Sequence, residues 1–236
     1  MLNQDSNLEG KVFLVSGSTG EIGRHTCQQL AKHNANLIIM GRNIDELNLL
    51  YDACIQPNNS VHIMQFDFLS ATPDDYENLA QVIQQEYQHL NAFINLAATW
   101  GSFSPIAHYN VQKWYEVLQI NLNAVFMLIQ AILPILQLSH SPQIIYPVID
   151  NICKNYIGAL GVANAGIEQL MSILKNEHKN SMNLKITKLQ PGPINSALYR
   201  KGFPGIKTPE QTGEKIAKDI LMEIFTHQCE TKLEPA

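Results

Sequence analysis

The sequence predicts an α/β fold, a doubly wound parallel β-sheet with helices on both faces, and three observations lead to it. Strand-like apolar runs alternate with amphipathic helical segments along nearly the whole chain. The strand candidates are almost continuously apolar, as strands covered on both faces must be. A glycine-rich turn, KVFLVSGSTGEIG (Lys11 to Gly23), joins the first of them directly to a helical pattern. The 236 residues are 45% hydrophobic and 16% charged, which fits a single domain, 1–236, with a buried sheet.

Val12 to Val15 form the first strand, and a helical pattern runs from Arg24 to His33. Between them Gly17, Gly20 and Gly23 stand at i, i+3 and i+6. Strand, glycine turn and helix in that order are the context a dinucleotide fingerprint requires. Gly17 permits the tight turn, Gly20 lets the backbone approach a pyrophosphate, and Gly23 lets the helix pack close on the strand. Ser18, Thr19 and Ile22 complete the candidate binding turn, and the helix N-terminus offers free N–H groups to phosphate.

A second strand follows at Asn36 to Met40 and a helix from about Ile44 to Cys54. The turn residues Pro57, Asn58 and Asn59 precede a third strand, Val61 to Phe66. A helix from about Asp74 to Gln88 leads to a fourth strand, Ala92 to Leu96. Val111 to Leu138 reads as one long helix, bent near its end by Pro134. Gln143 to Ile149 is a fifth strand, Ile157 to His178 a helix, and Leu184 to Leu189 a sixth strand. A loop rich in Pro and Gly (190–208) leads to a last helix, Pro209 to Phe225. Residues 1–9 read as a polar tail, and Cys229 to Ala236 as either a short edge strand or a loose tail.

Composition excludes several classes. A formal charge of −5 and the lack of a Lys/Arg run argue against nucleic-acid and membrane surfaces. The longest apolar stretch, Ala124 to Leu138, is interrupted by Gln130, Pro134 and Gln137 and reads as a core or interface helix. Cys27, Cys54, Cys153 and Cys229 are far apart, without a metal-ligand spacing, and read as buried, reduced thiols of a cytoplasmic protein. The N-terminus lacks a signal peptide's apolar core.

After the second strand comes Gly41-Arg42-Asn43. In a doubly wound sheet the adenosine ribose lies there, where an acidic residue accepts from the 2′-OH of NAD and an arginine favours a 2′-phosphate. Arg42, with Arg24 nearby, therefore points to NADP(H) rather than NAD(H); a solvated loop charge is the competing reading. Asp67, followed by Phe68, is placed either to accept from the adenine amino group or to cap a turn.

Together these pieces resemble the short-chain dehydrogenase/reductase family in its short, single-domain branch, with a Rossmann-like sheet. The resemblance covers nearly the whole chain. It includes the glycine turn, Gly41-Arg42-Asn43, Asp67-Phe68, and Asn95-Leu96-Ala97-Ala98, which stands where the family has N-N-A-G. It also includes Asn121 in NLNAVF and the segment Pro191-Gly192-Pro193-Ile194-Asn195-Ser196, similar to the family's loop over the nicotinamide. The resemblance implies that Asn95, Ala97, Pro191 and Gly192 belong to the cofactor site, with Ile194 and Ser196 on its carboxamide and phosphates. Glu21 departs from the pattern, since the short branch usually has glycine there. Its carboxylate either weakens pyrophosphate binding or points to solvent.

The family's catalytic set is a Tyr acid/base, a Lys four residues later, a Ser about a dozen residues before the Tyr, and an Asn. Hydride transfer to a carbonyl builds negative charge on oxygen, which needs a proton donor and a hydrogen-bonding neighbour. A tyrosine with an unperturbed pKa of about 10 needs a nearby ammonium to fill that role. Here the register of LGVANAGIEQLM (160–171) puts Leu160 at the Tyr position and Asn164 at the Lys position, where only a ribose contact remains. Val148 or Ile149 falls at the Ser position, so Asn121 alone is kept. Tyr156, with Lys154 close by, is the candidate relocated donor, an ordinary packing tyrosine being the competing reading; Tyr199 is a further candidate. Tyr109 and Lys113 show the Y-x-x-x-K spacing beside the wrong strand and read as coincidence. His108 and Trp100 either line the substrate side or pack.

Three functions follow: an NADP(H)-binding protein that has lost the chemistry, an active reductase with a relocated donor, or a cofactor-free dimerising module. The resemblance further implies a homodimer or homotetramer through helices 122–138 and 157–178. The substrate is not legible.

Overall fold

The structure, a computed structural model, describes residues 7–148 and 155–233. Six strands form one parallel sheet in the order β3-β2-β1-β4-β5-β6. They are β1 (Val12–Ser16), β2 (Asn36–Gly41), β3 (Val61–Gln65), β4 (Ala92–Asn95), β5 (Gln143–Pro147) and β6 (Lys185–Leu189). The helices are α1 (Glu21–Lys32), α2 (Ile44–Cys54), α3 (Pro73–Tyr87), α4 (Val111–Leu118), α5 (Ala124–Leu136), α6 (Gly158–Glu177), α7 (Ala197–Gly202) and α8 (Gly213–Leu233).

Alternate side chains of each strand enter opposite layers. Val12 and Leu14 of β1, Ile38 and Met40 of β2, and Ile144 and Tyr146 of β5 join a cluster with α3, α5 and α6. Phe13, Val15, Leu37, Ile39 and Ile145 point the other way, into a cluster with α1, α2 and α8. This two-sided burial explains the apolar character of the central strands, whereas the outer strands β3 (VHIMQ) and β6 (KITKL) are partly exposed and carry polar residues. β1 pairs with β2 on one side and β4 on the other, so strand order reverses at β1. In such sheets ligands bind in the crevice outside the carboxyl ends at that switch point.

Three helical segments differ from expectation. α7 was not foreseen inside loop 190–208; Ser196 starts it, its Oγ accepting from Tyr199 N at 3.0 Å. α8 begins at Gly213 rather than Pro209, because Gln211 bonds to the loop instead: its C=O accepts from Asn195 N (2.8 Å) and its Nε2 donates to Pro191 O (2.5 Å). α8 then runs to Leu233, so residues 229–233 are helical, neither edge strand nor tail. The long helix is continuous over 111–136 but contains a π-turn at Gln119–Asn123. Joined in this way it is long and apolar enough to cross a membrane by length and composition, a span greater than the stretch Ala124 to Leu138 suggested. In the fold, Val125, Leu128, Ile129 and Ile132 of that helix are buried in the sheet cluster.

Candidate cofactor and active site

The β1–α1 turn is built at the limit of atomic contact. Gly17 has φ +64°, and a Cβ there would lie 2.6 Å from Ala97 N, so only glycine lets the turn cross the end of β4. A Cβ on Gly23 would lie 2.2 Å from Gly17 O, which is how closely α1 presses on the turn. Gly20 differs: it is the exposed N-cap of α1 (φ −69°), and an added Cβ would meet only Gly17 O, at 3.2 Å. Tight underneath and open above, the turn leaves space for a phosphate beside the first free N–H groups of α1.

Several polar residues expected in this turn and crevice are spent on the scaffold instead. Ser18 is fully buried, its N–H and hydroxyl both donating to Met40 O (3.1 Å each), which pins the turn to β2. Asn95 is buried at the end of β4 and accepts from Ser16 Oγ at 2.9 Å. Asn43 caps α2, its Oδ1 accepting from Asp45 N and Glu46 N. Phe68 is buried, with its ring against Phe66 and Tyr76. For these four, contact with a ligand in the crevice would fall to the backbone, because the side chains are engaged elsewhere.

Others remain open to the crevice. Arg42, after Gly41, is exposed, and its guanidinium makes no ion pair among the described residues; its backbone C=O accepts from Gln65 Nε2. Thr19 flanks Gly41, and Ile22 packs under the turn. Asp67 shows the turn-capping geometry, Oδ1 accepting from Leu69 N at 3.1 Å, while its side chain stays exposed. Ala97 is half-buried beside the glycine turn. In the loop after β6, Gly192 has φ +63° with nothing within 4 Å of an added Cβ. Pro191 is tied to Gln211, Ile194 packs on the α1/α8 layer, and Ser196 is buried as the cap of α7.

Glu21 does not face the crevice unpaired. It stands in the first turn of α1, bound to Arg24 at 2.6 Å and near His25 at 3.4 Å. This pair compensates the carboxylate and occupies Arg24, which was expected to assist with phosphate. On its other side Glu21 meets α8: a Cβ on Gly213 would lie 2.3 Å from Glu21 O.

Asn121 sits in the π-turn and clamps the loop after β4, with Oδ1 accepting from Thr99 N (2.9 Å) and Nδ2 donating to Thr99 O (2.7 Å). Both ends of its amide are engaged, so it positions the loop rather than relaying a proton. A π-turn inside a helix is a common way to place such a residue.

Leu160, near the start of α6, is 2% exposed. It packs in a cluster with Trp100, Val117, Ala159 and Ala163, flanked by Phe103, Tyr109, Tyr199 and Phe203. Asn164 lies one turn further on, half-buried. Trp100 is a packing residue at the centre of this cluster, in edge contacts with Phe103 (5.6 Å), Tyr199 (6.1 Å) and Phe203 (5.2 Å). Tyr199 is drawn into the cluster, and His108 is exposed on a short 3₁₀ turn. Tyr109 covers Gly158, where a Cβ would lie 2.0 Å from its ring, and Lys113 pairs with Glu116, which accounts for both without chemistry. Tyr156 is 56% exposed, with φ +69°, and its C=O accepts from Ser104 N at 3.0 Å. Ile149, Cys153 and Lys154 lie outside the described residues.

Sequence reasoning missed Phe103, Phe203, Ser102 and Ser104. The two serine hydroxyls are buried without a hydrogen-bond partner among the described residues. The one signal for the aromatic group was the density of rings in two segments, 100–103 and 199–203, far apart in sequence.

Residues 11–205 match the family model for short chain dehydrogenases. The uncharacterised oxidoreductase YciK of Escherichia coli is 29% identical over 220 residues, 86% of this chain and 82% of its own. A short chain dehydrogenase from Shigella flexneri complexed with NADP superposes with a TM-score of 0.87 and 26% identity, covering 94% of this chain and 93% of its own. One from Escherichia coli complexed with NADPH gives 0.85 and 25%, covering 94% and 95%.

Proposed function

Since this chain belongs to the short chain dehydrogenase family, we propose that it binds NADP(H) at the switch point of its sheet and turns over ordinary carbonyl substrates slowly or not at all. The pyrophosphate would lie over Gly20 at the N-terminus of α1, the 2′-phosphate by Arg42, and the nicotinamide under the loop of Pro191, Gly192, Ile194 and Ser196. The exposure of Gly20, the open space over Gly192 and the Arg42 guanidinium, without an ion pair among the described residues, support that fit. NADP-bound and NADPH-bound relatives of the same fold support it further. When bound, the cofactor supplies or accepts a hydride.

The observation that carries the loss of chemistry is Leu160, a buried side chain with no proton to give, at the position the family register assigns to the acid. A positioned general acid contributes roughly 10²- to 10⁴-fold, and its hydrogen-bonding neighbour roughly 10²- to 10³-fold more. Proximity alone would leave a residual rate. The test is NADPH oxidation across a panel of ketones and aldehydes, expected to run at least about 10²-fold below a family member with the full set. Turnover at a matching rate would refute the reading.

A second reading, with Tyr156 as relocated donor, draws on its exposure and left-handed backbone, a strain that often collects at functional sites. Activity that is present and lost in Tyr156→Phe would favour it. The cofactor-free reading rested on Glu21, whose charge Arg24 offsets. We further propose self-association through the helices of 122–138 and 157–178, where Phe126, Val162 and Ile173 are exposed apolar residues. Cys27 and Cys54 are buried free thiols, whereas Cys229, expected to be buried, is exposed on α8; free thiols suit a reducing compartment such as the cytoplasm.

A further inference from the structure

The cofactor reading uses the carboxyl ends of the strands. At the opposite edge of the sheet lies an open cavity of about 630 Å³. Lys11, just before β1, lines it together with Asn91, just before β4, and Ser139 and His140, shortly before β5. The end of α3 and the residues after it add Gln84, Gln88 and His89. β1 is five residues long, so about 16 Å of strand separates this cavity from the glycine turn.

Two buried side chains of the lining are held by the scaffold in a way that leaves donors over. Asn91 Oδ1 accepts from Val12 N (2.8 Å), and its Nδ2 donates to Ser139 Oγ (3.0 Å). Ser139 Oγ accepts a second bond from Ser141 N at 3.3 Å. With both lone pairs taken, the hydroxyl of Ser139 has only its proton to offer, and no acceptor for it stands among the described residues.

The charge around these donors has one sign, although the chain as a whole carries −5. Lys11, His89 and His140 make no ion pair and no side-chain hydrogen bond among the described residues, and no Asp or Glu lines the cavity. Bases often stand at helix C-termini to offset the last carbonyls. Here α3 and α5 both end at this edge, but backbone N–H groups already serve those carbonyls. Gln84 O accepts from Gln88 N (3.0 Å), Tyr87 O from His89 N (2.8 Å), Ile135 O from Leu90 N (3.3 Å) and Leu136 O from Ser139 N (3.0 Å). The three bases are therefore surplus to the scaffold, and what they and the Ser139 proton lack is an anionic acceptor.

The kind of anion follows from the donors. Lysine serves a phosphate as a point charge, whereas bidentate recognition of a carboxylate calls for an arginine fork, and no arginine lines the cavity. The amides of Gln84 and Gln88 both donate and accept, which suits hydroxyl groups. The volume is that of a small-molecule pocket, roughly 300–1,000 Å³, and leaves room for an organic body beside the phosphate.

We propose that this cavity binds a small hydroxylated phosphate monoester, with Lys11, His89, His140 and Ser139 on the phosphate and the two glutamines on the hydroxyl groups. The site is separate from the cofactor crevice and does not rest on the NADP(H) reading.

The probe is glucose 6-phosphate, with glucose and citrate as the neutral and carboxylate comparisons. Each is titrated by calorimetry into the purified protein, with and without NADPH, and mapped by amide NMR shifts on the native protein. Glucose 6-phosphate is expected to bind at least about tenfold more tightly than either comparison, the scale of one charge-assisted hydrogen bond. Its amide shifts should centre on Lys11, His89 and Ser139 to Ser141. Lys11→Met and the double variant His89→Gln/His140→Gln should each weaken it at least about tenfold, with thermal melting confirming that both variants fold. Arg42→Ala and added NADPH should leave its affinity unchanged. No binding at millimolar glucose 6-phosphate, equal or tighter binding of citrate or glucose, or native affinity in Lys11→Met would each overturn the proposal. So would competition by NADPH or loss of binding in Arg42→Ala, which would place the anion in the cofactor crevice instead.

Discussion

The two inner glycines of the binding turn should respond to alanine in opposite ways, although both changes add one methyl group to the same loop. In Gly23→Ala the new Cβ would sit 2.2 Å from Gly17 O and 2.8 Å from Ser18 Cα and Ser18 O, all backbone atoms. None can swing aside, so relief requires α1 to lift off the turn. Gly to Ala inside a helix ordinarily gains about 1 kcal/mol. Here overpacking against fixed backbone should cost about 2–4 kcal/mol net. At about 2–4 °C per kcal/mol for a chain of this size, Tm should fall by roughly 5–15 °C. In Gly20→Ala the added Cβ meets only Gly17 O, at 3.2 Å, and the backbone is extended. Its Tm should stay within about 2 °C, while NADPH affinity falls at least about tenfold because the methyl group intrudes where the pyrophosphate would lie. Differential scanning fluorimetry and a cofactor titration on both variants make the comparison. A Gly23→Ala protein as stable as the native one, or a Gly20→Ala protein with native NADPH affinity, would refute this account of the turn.

Three further outcomes follow. Arg42→Ala should weaken NADPH binding by roughly 10- to 100-fold, the scale of a charge-assisted bond to phosphate, and leave NADH binding unchanged, as read by nicotinamide fluorescence. Asn121→Ala removes both bonds to Thr99 and should cost about 1–3 kcal/mol in denaturant unfolding, with faster amide exchange in the loop after β4. Burial raises Tyr76 to about 12, and its hydroxyl has no partner among the described residues. A folded pKa above the unfolded value of about 10 means that its contribution is intact below pH 10 and is lost as pH rises from about 10 to 12. Tyr76→Phe should therefore flatten the alkaline loss of stability in that window, and at pH 7 it should be neutral or stabilising by about 1 kcal/mol.

What was legible in the sequence was whatever depends on hydrophobic period and glycine. β1 to β6 fall where apolar runs stand between turn residues, because strands covered on both faces cannot hide their composition. Gly17 and Gly23 were legible for a related reason: the contacts at 2.6 and 2.2 Å tolerate no other residue. Polar side chains were read less well, since each can serve a ligand or the scaffold and only the fold decides. Ser18 donates to Met40, Asn43 caps α2, Asn95 accepts from Ser16, and Asn121 clamps Thr99. Apart from the Asn43 cap, whose partners are two and three residues away, each partner is set by the packing of a neighbouring element and not by local spacing. α7 was missed because six residues are too short for a periodic signal, and its start depends on the Ser196 cap. The cluster over Leu160 joins residues about 100 positions apart, which no window on a single sequence brings together.

On the proposed reading this chain keeps an NADP(H) site in which Leu160 and its apolar surroundings stand where the family's acid would be. The most direct measurement is a titration of the purified protein with NADPH and with NADH, following nicotinamide fluorescence and thermal stability together. The account predicts a micromolar NADPH dissociation constant, a preference over NADH of at least about tenfold, and a matching rise in Tm. Absence of binding at millimolar NADPH, or a preference for NADH, would contradict it.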